Sequence, residues 1–598
     1  MVSPDSRTML TAALKPPIGM AFDVAVATTY TLDPALALTL PVLLSQVTEH
    51  KDVTEEDCAI LRLQRLRSHA EAITIFVQEG SIKVPRVLKP SPAYSLLDAM
   101  ICEVTSPKGG VFHPKIVLVR YKGENAPRRL RLVVMTRNLT FDKSWDVAVI
   151  LDGAVKADLK TTKNDGLARF VQSLANENGL SEKRRAAINS LRLDLSHVEF
   201  EPPEGYRRYA FHLPLDNGID WIPRQKVERW GMISPFLTKE AMSELSRDLP
   251  TPEFVLSRDE ELAKVGGTDR ARVLRDVGEW SDGEDHAKPL EAVGLHAKCY
   301  LYDYTYEGRP YTRLVIGSGN ATSAALVSKS PRNVEFMVSL SGPRIANGVC
   351  DFARAMESYW MPWTAEDRTE VDEEAETAKR KIEDCKRRLL EIGFLVECDS
   401  CDDGLVALTL RTRFGRKVEP FDGVKEIRAF PVTQLASSAI ALSVPGNQWG
   451  LQRVRAESVT GLIAFEIIST REGLSDSFVL NLQVRGMPPD RDEQVLASVL
   501  ANRSAFLRFL SMLLEDGMGG SGYGGAEPFV PIASMLRSSL YGGLPLADCL
   551  LRAYCRTPGV LTEIARAVAA ADKAGRNVIP DDFRELWASF SSLAEEAK

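Results

Sequence analysis

The sequence predicts two related, pseudo-symmetric α/β lobes, followed by an antiparallel β domain and a helical C-terminal region. Three observations carry this. A strand, a hairpin-like turn and a return strand occur twice, as FHPKIVLVRY leading to LVVMTRN and as LHAKCYLYDY leading to LVIGSGN. Each block follows the same order of elements, and strands separated by helices imply an α/β layer architecture. Residues 396–487 instead alternate apolar and polar side chains (LVALTLRTRF, GLIAFEIIST, SFVLNLQV), the period of half-buried strands.

In the first lobe, residues 1–155, the strand AFDVAVATTY runs into TLDPALALTL, where Asp33 is placed to cap a helix and Pro34 to occupy its first turn. ITIFVQ supplies the next strand, and the His-bearing strand follows. A charged helical stretch, 156–204, connects to the second lobe, 205–362. There ERWGMISPF runs into LTKEAMSELS with Thr238 as cap, and EFVLS precedes the second His-bearing strand. YKGENAPRR and YTYEGRPY, rich in turn formers, reverse the chain in the two copies. Residues 363–395 are acidic first and basic later and read as a solvated linking helix. The β-rich domain spans 396–487 and the helical remainder 488–598, including TPGVLTEIARAVAAADKAG with Thr557 as cap.

With 598 residues and 44% hydrophobic content, the chain is long enough for several cores. Its net charge of -7 gives no global positive field for nucleic acid or anionic membrane, so any phosphate-binding surface is expected to be local. No apolar run approaches the length of a membrane span and no targeting segment is evident, so the cytoplasm is the expected compartment. Cys398 and Cys401 form a single CxxC without a second ligand pair, which falls short of a zinc site. GMGGSGYGG formally contains GxGxxG but follows a helix and lacks the Lys-Ser/Thr of a phosphate-binding loop, so it reads as a flexible loop.

The chemistry is expected in the repeated block. Each copy places His113 or His296 two residues before Lys115 or Lys298, and Asn138 or Asn320 one strand later. Residues i and i+2 of a strand share a face, so each imidazole is aimed with an ammonium, and two such sets can face each other across a pseudo-twofold axis. Position +7 has the opposite parity, so Arg120 and Asp303 should point away from that face. The remaining histidines, His50, His69, His197, His212 and His286, have no comparable setting; His286 is itself an H-x-K but sits in a polar stretch.

This pattern resembles the phospholipase D superfamily, whose members carry two H-x-K motifs with a downstream Asn. His296, Lys298 and Asp303 match H-x-K-x(4)-D, Gly317, Ser318 and Asn320 match GSxN, and Asn333 with Glu335 matches the trailing N-x-E. The first copy has Arg120 in place of the Asp and Thr136-Arg137-Asn138 in place of GSxN, and is more similar to the tyrosyl-DNA phosphodiesterase branch. The resemblance covers residues 18–340. It implies a metal-independent phosphodiesterase without cofactor, in which His113 attacks phosphorus to form a phosphohistidine and His296 protonates the leaving oxygen. Lys115, Lys298, Asn138 and Asn320 would surround the non-bridging oxygens, with Arg137 and Ser318 as further substrate contacts. It also implies a carboxylate behind each imidazole, Glu335 for His296 and Asp146 for His113. A DNA nuclease is the expected activity, from the resemblance of the first copy to the tyrosyl-DNA phosphodiesterase branch; by analogy with family members in bacterial anti-phage systems, an ATPase or helicase is an expected partner. The alternatives are a lipid phospholipase or phosphatidyl transferase and a non-enzymatic nucleic-acid-binding subunit. No oligomer is required, since both half-sites lie in one chain.

Overall fold

The computed structural model describes residues 10–44, 69–85, 91–123, 126–141, 144–267, 269–275, 294–345, 347–364, 372–500 and a scatter of residues between 506 and 590. The Gly-rich loop near 517–522, Thr557, His50 and His286 lie outside the described residues.

Two open sheets repeat one topology. The first is built from β1 (Ala21–Thr29), β2 (Ile73–Gln78), β3 (Ile101–Val104), β5 (Ile116–Lys122), β6 (Arg129–Met135) and β8 (Ala148–Ala154), ordered β3-β2-β1-β5-β6-β8, with β4 (Gly109–Phe112) and β7 (Ser144–Trp145) outside it. The second adds β9 (Arg208–His212) at one edge, then uses β10 (Val227–Ile233), β11 (Val255–Leu256), β12 (Ala271–Leu274), β14 (Cys299–Tyr306), β15 (Arg309–Gly317) and β17 (Met337–Pro343). β13 (Gly294–Leu295) and β16 (Arg332–Val334) lie apart, and β18 (Trp360–Pro362) closes the far edge. Its order, β18-β12-β11-β10-β14-β15-β17-β9, contains the first sheet's order intact. In both sheets the first three strands are parallel and the His-side hairpin runs antiparallel to them.

Local chemistry explains the elements. Asp33 accepts a hydrogen bond from the Ala35 N–H at 2.9 Å with Pro34 opening the helix Pro34–Leu43, and Thr238 accepts from the Ala241 N–H at 3.3 Å to start Lys239–Leu245. The β14–β15 reversal is a two-residue turn with Glu307 at φ 50° and Gly308 at φ 73°, the left-handed pair a tight hairpin needs.

The stretch read as a connector is part of a core. The helices Asp165–Ala175 and Glu182–Asp194 bury Leu167, Phe170, Ile188 and Leu191 in one cluster with Leu118 and Leu132 of the first sheet and Leu301 and Ile316 of the second. One apolar layer therefore joins the two sheets, and the sites at their strand ends are held in fixed relation.

The linking helix also packs. Glu373–Ile392 buries Ile382, Cys385 and Leu389 against a β-sandwich. This sandwich comprises β19 (Phe394–Ser400), β20 (Val406–Thr412), β21 (Val424–Pro431), β22 (Ile440–Ala441), β23 (Gln448–Val454), β24 (Leu462–Ser469), β25 (Ser475–Asn481) and β26 (Gln483–Arg485). Its sheets are β23-β20-β19-β26 and β22-β21-β24-β25; all pairs are antiparallel except β19 with β26, the one departure from the expected pattern. Phe430, Leu462 and Val479 of the sandwich share a core with Ile75 and Val117 of the first lobe and with the helix Gly559–Lys573. Polar contacts complete the joint: both Glu103 oxygens accept backbone N–H groups, from Gly80 at 2.9 Å and Asn481 at 2.7 Å, and Arg491 pairs with Asp98 at 2.7 Å. No helix among the described residues is long and apolar enough to cross a membrane.

Arg120 and Asp303 take the same place in the two sheets with opposite charge. Arg120 is nearly buried and binds Asp23 at 2.6 Å and Asp194 at 2.8 Å, whereas buried Asp303 accepts from Thr312 and from the Val349 N–H, with Arg344 at 3.5 Å and Arg229 at 3.9 Å. Each is consumed in a structural network, Arg120 with its own lobe and the helix Glu182–Asp194, Asp303 within the second lobe. Removing one partner of a buried pair costs about 3–5 kcal/mol, because the remaining charges are left uncompensated. Arg120→Ala should therefore lower the stability of the first lobe by about that amount in urea unfolding, with little change in the activity of molecules that remain folded; an unaltered midpoint would show that Asp23 and Asp194 are solvated instead.

Candidate active site

The two H-x-K motifs do not lie within strands. His113, Pro114 and Lys115 fill the break between β4 and β5, and His296, Ala297 and Lys298 the break between β13 and β14. The breaks arise because these segments pair across the lobes. β4 runs parallel to β16 and β13 parallel to β7, so the backbone entering each motif is bound to the other half. The His113 N–H donates to Val334 O at 2.9 Å, and the His296 N–H to Trp145 O at 2.9 Å. The residue after each acceptor is an acid, Glu335 or Asp146.

That crossing decides the acid partners. His113 Nδ1 lies 2.9 Å from Glu335 Oε2, a contact spanning 222 positions of sequence. The pairing implied by the resemblance, Glu335 with His296, is thus overturned: Glu335 leaves the β16–β4 ladder beside the other half's imidazole. Asp146 lies on the corresponding strand end in the first half, near Lys298, and its carboxylate is 3.3 Å from Arg137 Nε. With Nδ1 held by Glu335, the His113 Nε2 has no hydrogen-bond partner among the described residues.

Both lysines fold back over their own motifs. Lys115 Nζ donates to His113 O at 3.1 Å, and Lys298 Nζ to His296 O at 2.8 Å and, across the halves, to Thr136 O at 3.4 Å. Both are almost fully buried. Burial drives Lys115 well below the usual lysine range, and the nearby Lys298 ammonium adds to the effect while Glu335 opposes it. Lys298 is brought down to about 8, by burial against the pull of Glu335. Burial likewise holds His113 down to about 4; Glu335 works in the opposite sense, and Lys115 and Lys298 reinforce the shift. Burial opposes the charge of Glu335, but His113, Lys115 and the Ser318 hydroxyl keep its carboxyl below the normal carboxylate range.

The other expected site residues divide. Asn138 and Asn320 sit at the ends of the return strands; Asn138 Oδ1 accepts from the Thr31 N–H at 3.4 Å, whereas Asn320 Oδ1 is buried with no hydrogen-bond partner among the described residues. Ser318 is not a substrate contact. It is fully buried, donates to Glu335 and accepts from the Phe336 N–H at 3.0 Å, so it fixes the carboxylate. Thr136 occupies the matching place, accepting from the Val147 N–H at 2.9 Å. Arg137 is turned to Asp146 and to Thr140 O, 2.9 Å away, and is held there rather than free for substrate.

Three residues join the site without a motif of their own. Tyr30, at the end of β1, meets the His113 ring edge-on at 5.3 Å and has Lys115 Nζ 6.0 Å from its ring. Gln78 accepts from the Phe112 N–H at 2.6 Å, just before His113. Arg258 follows β11 as Gln78 ends β2, and donates to Leu295 O at 3.2 Å, just before His296. It lies 4.6 Å over the Phe236 ring and helps depress Lys298. Aligning the two repeats one strand earlier than the motifs would have exposed Gln78 and Arg258 together. Among the other histidines, His212 is satisfied by Asp220 at 2.6 Å and Ser339 at 2.8 Å, and His197 by Leu159 O at 2.8 Å. His212 and Ser339 are buried while Asp220 lies at the surface; with Ser339 only 4% exposed, its hydroxyl is a structural donor or acceptor and not an accessible nucleophile.

No protein-family model matches the chain, and no curated protein matches it. Among solved structures it is similar to yeast tyrosyl-DNA phosphodiesterase, at 11% identity over 57% of this chain and 88% of that one, with a TM-score of 0.34. A mutant form of the yeast enzyme matches at 12% identity over 54% of this chain and 84% of that one, with a TM-score of 0.31.

The pH dependence of this site follows from its shifts. If His113 acts as a nucleophile it must be neutral, so the rate should fall on the acid side only as pH drops through the value of about 4 held by His113; if Lys298 binds an anionic substrate it must be charged, so the rate should also fall as pH rises through the value of about 8 held by Lys298. The kcat/KM profile reports free-enzyme groups. It is expected to show an acid limb near 4 and an alkaline limb no higher than about 8; an acid limb at the ordinary imidazole value of about 6.5 would contradict the assignment of His113.

Proposed function

We propose that this protein is a metal-independent phosphodiesterase that cleaves DNA through a phosphohistidine on His113. The observation that carries the reading is the almost complete burial of Lys115 and Lys298, close enough for the Lys298 charge to disfavour that of Lys115. Two buried ammonium groups are unfavourable in an empty site, and an oxyanion between them relieves both their desolvation and their repulsion. A tetrahedral phosphodiester places two non-bridging oxygens to meet two cations. The geometry thus favours an anionic substrate whose charge grows in the transition state.

The residues take complementary roles. His113 is held neutral by burial, and its Nδ1–H donates to Glu335, so the Nε2 lone pair is aimed outward to attack phosphorus. A His113 Nε2–P bond forms as the P–O bond to the leaving group breaks, and protonated His296 gives its proton to the departing oxygen. A water then attacks the phosphohistidine, His296 takes its proton, and the N–P bond breaks to restore His113. Glu335 stabilises the positive charge that the imidazole acquires, as the buried acid does in a serine protease triad. Lys115, Lys298 and the Asn138 and Asn320 amides hold the non-bridging oxygens.

Both acids at the site are already engaged, Glu335 by His113 and Ser318 and Asp146 by Arg137, while two lysines supply the positive charge that Mg²⁺ supplies in carboxylate-based nucleases. Hydrolysis of a labelled DNA strand is therefore expected to survive excess EDTA. Rapid acid quench should recover a DNA adduct on the peptide carrying His113, and His296→Ala should allow that adduct to form only with a good leaving group. Loss of cleavage on chelation with recovery by Mg²⁺ would refute the mechanism, and an adduct found only on His296 would exchange the two roles.

A further inference from the structure

The β-sandwich carries a feature that its packing does not require. Between β20 and β21 the segment RTRFGRK makes a tight turn in which Phe414 is 93% exposed. Phe414 has φ 59°, and Gly415 follows at φ 67°. A left-handed conformation is strained for a bulky residue, so a large aromatic ring is presented to water at a local conformational cost. Exposed Arg413, Arg416 and Lys417 flank it, and Arg416 and Lys417 make no ion pair among the described residues. Beside the turn lies an open cavity of about 230 Å³ lined by Phe414, Thr412, Asn447, Gln448, Arg411 and Arg485. This is below the roughly 300 Å³ at which pockets for drug-sized ligands begin, a size that suits one ring system. One acid, Glu397, serves both Arg411 at 2.8 Å and Arg485 at 3.8 Å, so the surface around the ring is cationic.

The position of the turn matters as much as its composition. The Arg413 backbone N–H donates to Gly393 O and its side chain to Phe394 O at 3.2 Å, at the end of the helix Glu373–Ile392, whose Leu390 lies against Gly80 beside Glu79; the Glu79 carboxyl feels the Arg413 charge. Glu79 directly follows Gln78, whose side chain binds the backbone entering His113. The turn is therefore at the same end of the first sheet as the catalytic residues.

We propose that the Arg413–Lys417 turn is a second binding surface for single-stranded DNA leaving the cleft, with Phe414 stacking on an unpaired base and Arg416 and Lys417 meeting the flanking phosphates. This rests on the phosphodiesterase reading of the site and gives the sandwich a task, to hold the strand beside the scissile bond. An exposed aromatic ring within a cationic surface is the combination by which single strands are bound without reading their sequence, since every base offers a face for stacking. A duplex keeps its bases stacked on each other and offers the ring little.

The test uses the full chain and three probes: a labelled single strand of about 20 nucleotides, a blunt duplex of the same length, and bis(p-nitrophenyl) phosphate as a minimal diester. Phe414→Ala should weaken single-strand binding about tenfold, with minimal-diester hydrolysis unchanged and duplex binding little affected. Arg416→Ala with Lys417→Ala should flatten the salt dependence of single-strand binding by roughly one to two phosphate contacts. Unchanged affinity and salt slope in both variants would overturn the proposal while leaving the catalytic reading intact. A change of oligomeric state in Phe414→Ala in place of a change in DNA affinity would also overturn it, marking a protein interface. If the wild type fails to hydrolyse the minimal diester but Phe414→Ala still weakens strand binding, the binding surface stands and the catalytic reading falls.

Discussion

The hydrogen bond between His113 and Glu335 is the contact on which the site depends, because it joins residues of different lobes. Glu335 reaches the imidazole of the other half and not the one in its own motif, so the His113–Glu335 pair exists only while the two sheets are docked. The short parallel pairs β4–β16 and β7–β13 enforce that docking at the backbone level, each tying one lobe's motif to the strand that delivers the other lobe's acid. Behind them the shared apolar layer, which includes Phe336 next to Glu335, makes relative sliding of the sheets costly. Packing, register and chemistry are thus one constraint.

Electrostatics then works through the same geometry. The cleft buries two lysines and an imidazole with few compensating carboxylates, and the result is a neutral His113 and weakened ammonium charges in the free site. On the proposed reading, entry of a phosphodiester would reverse this balance by giving the lysines an anionic partner. Binding energy from the substrate's charge would thereby be coupled to restoring the cations that the transition state needs. Arg258 adds positive charge on the second-lobe side, where the first lobe has the neutral Gln78, so the two halves are alike in topology and unlike in polarity.

Much of this was legible in the chain. The duplicated His-Lys-Asn pattern named the candidate residues; Arg120 and Asp303 are engaged elsewhere, as expected, in networks with Asp23 and Asp194 and with Arg344, although the His and Lys residues whose face the parity argument used lie in breaks and not in strands. The crossing was not legible, since spacing along the chain places Glu335 after His296 and says nothing of which imidazole it reaches. Ser318 and Arg137 looked like substrate contacts because they flank the asparagines; their partners, Glu335 and Asp146, are set by tertiary register. The helices 165–175 and 182–194 read as a charged connector because of the basic run Lys183–Arg184–Arg185, although Phe170 and Leu191 fill the layer between the sheets.

A double-mutant cycle on His113→Ala and Glu335→Gln tests the central claim most directly, with kcat/KM measured on an activated diester such as bis(p-nitrophenyl) phosphate so that residual rates remain readable. If Glu335 acts only through the imidazole of His113, its substitution should matter in the wild type and have almost no further effect once His113 is gone, a strongly non-additive cycle. Losses that simply add would contradict the account, showing that Glu335 serves another group and that the bond across the lobes is not part of the catalytic machinery.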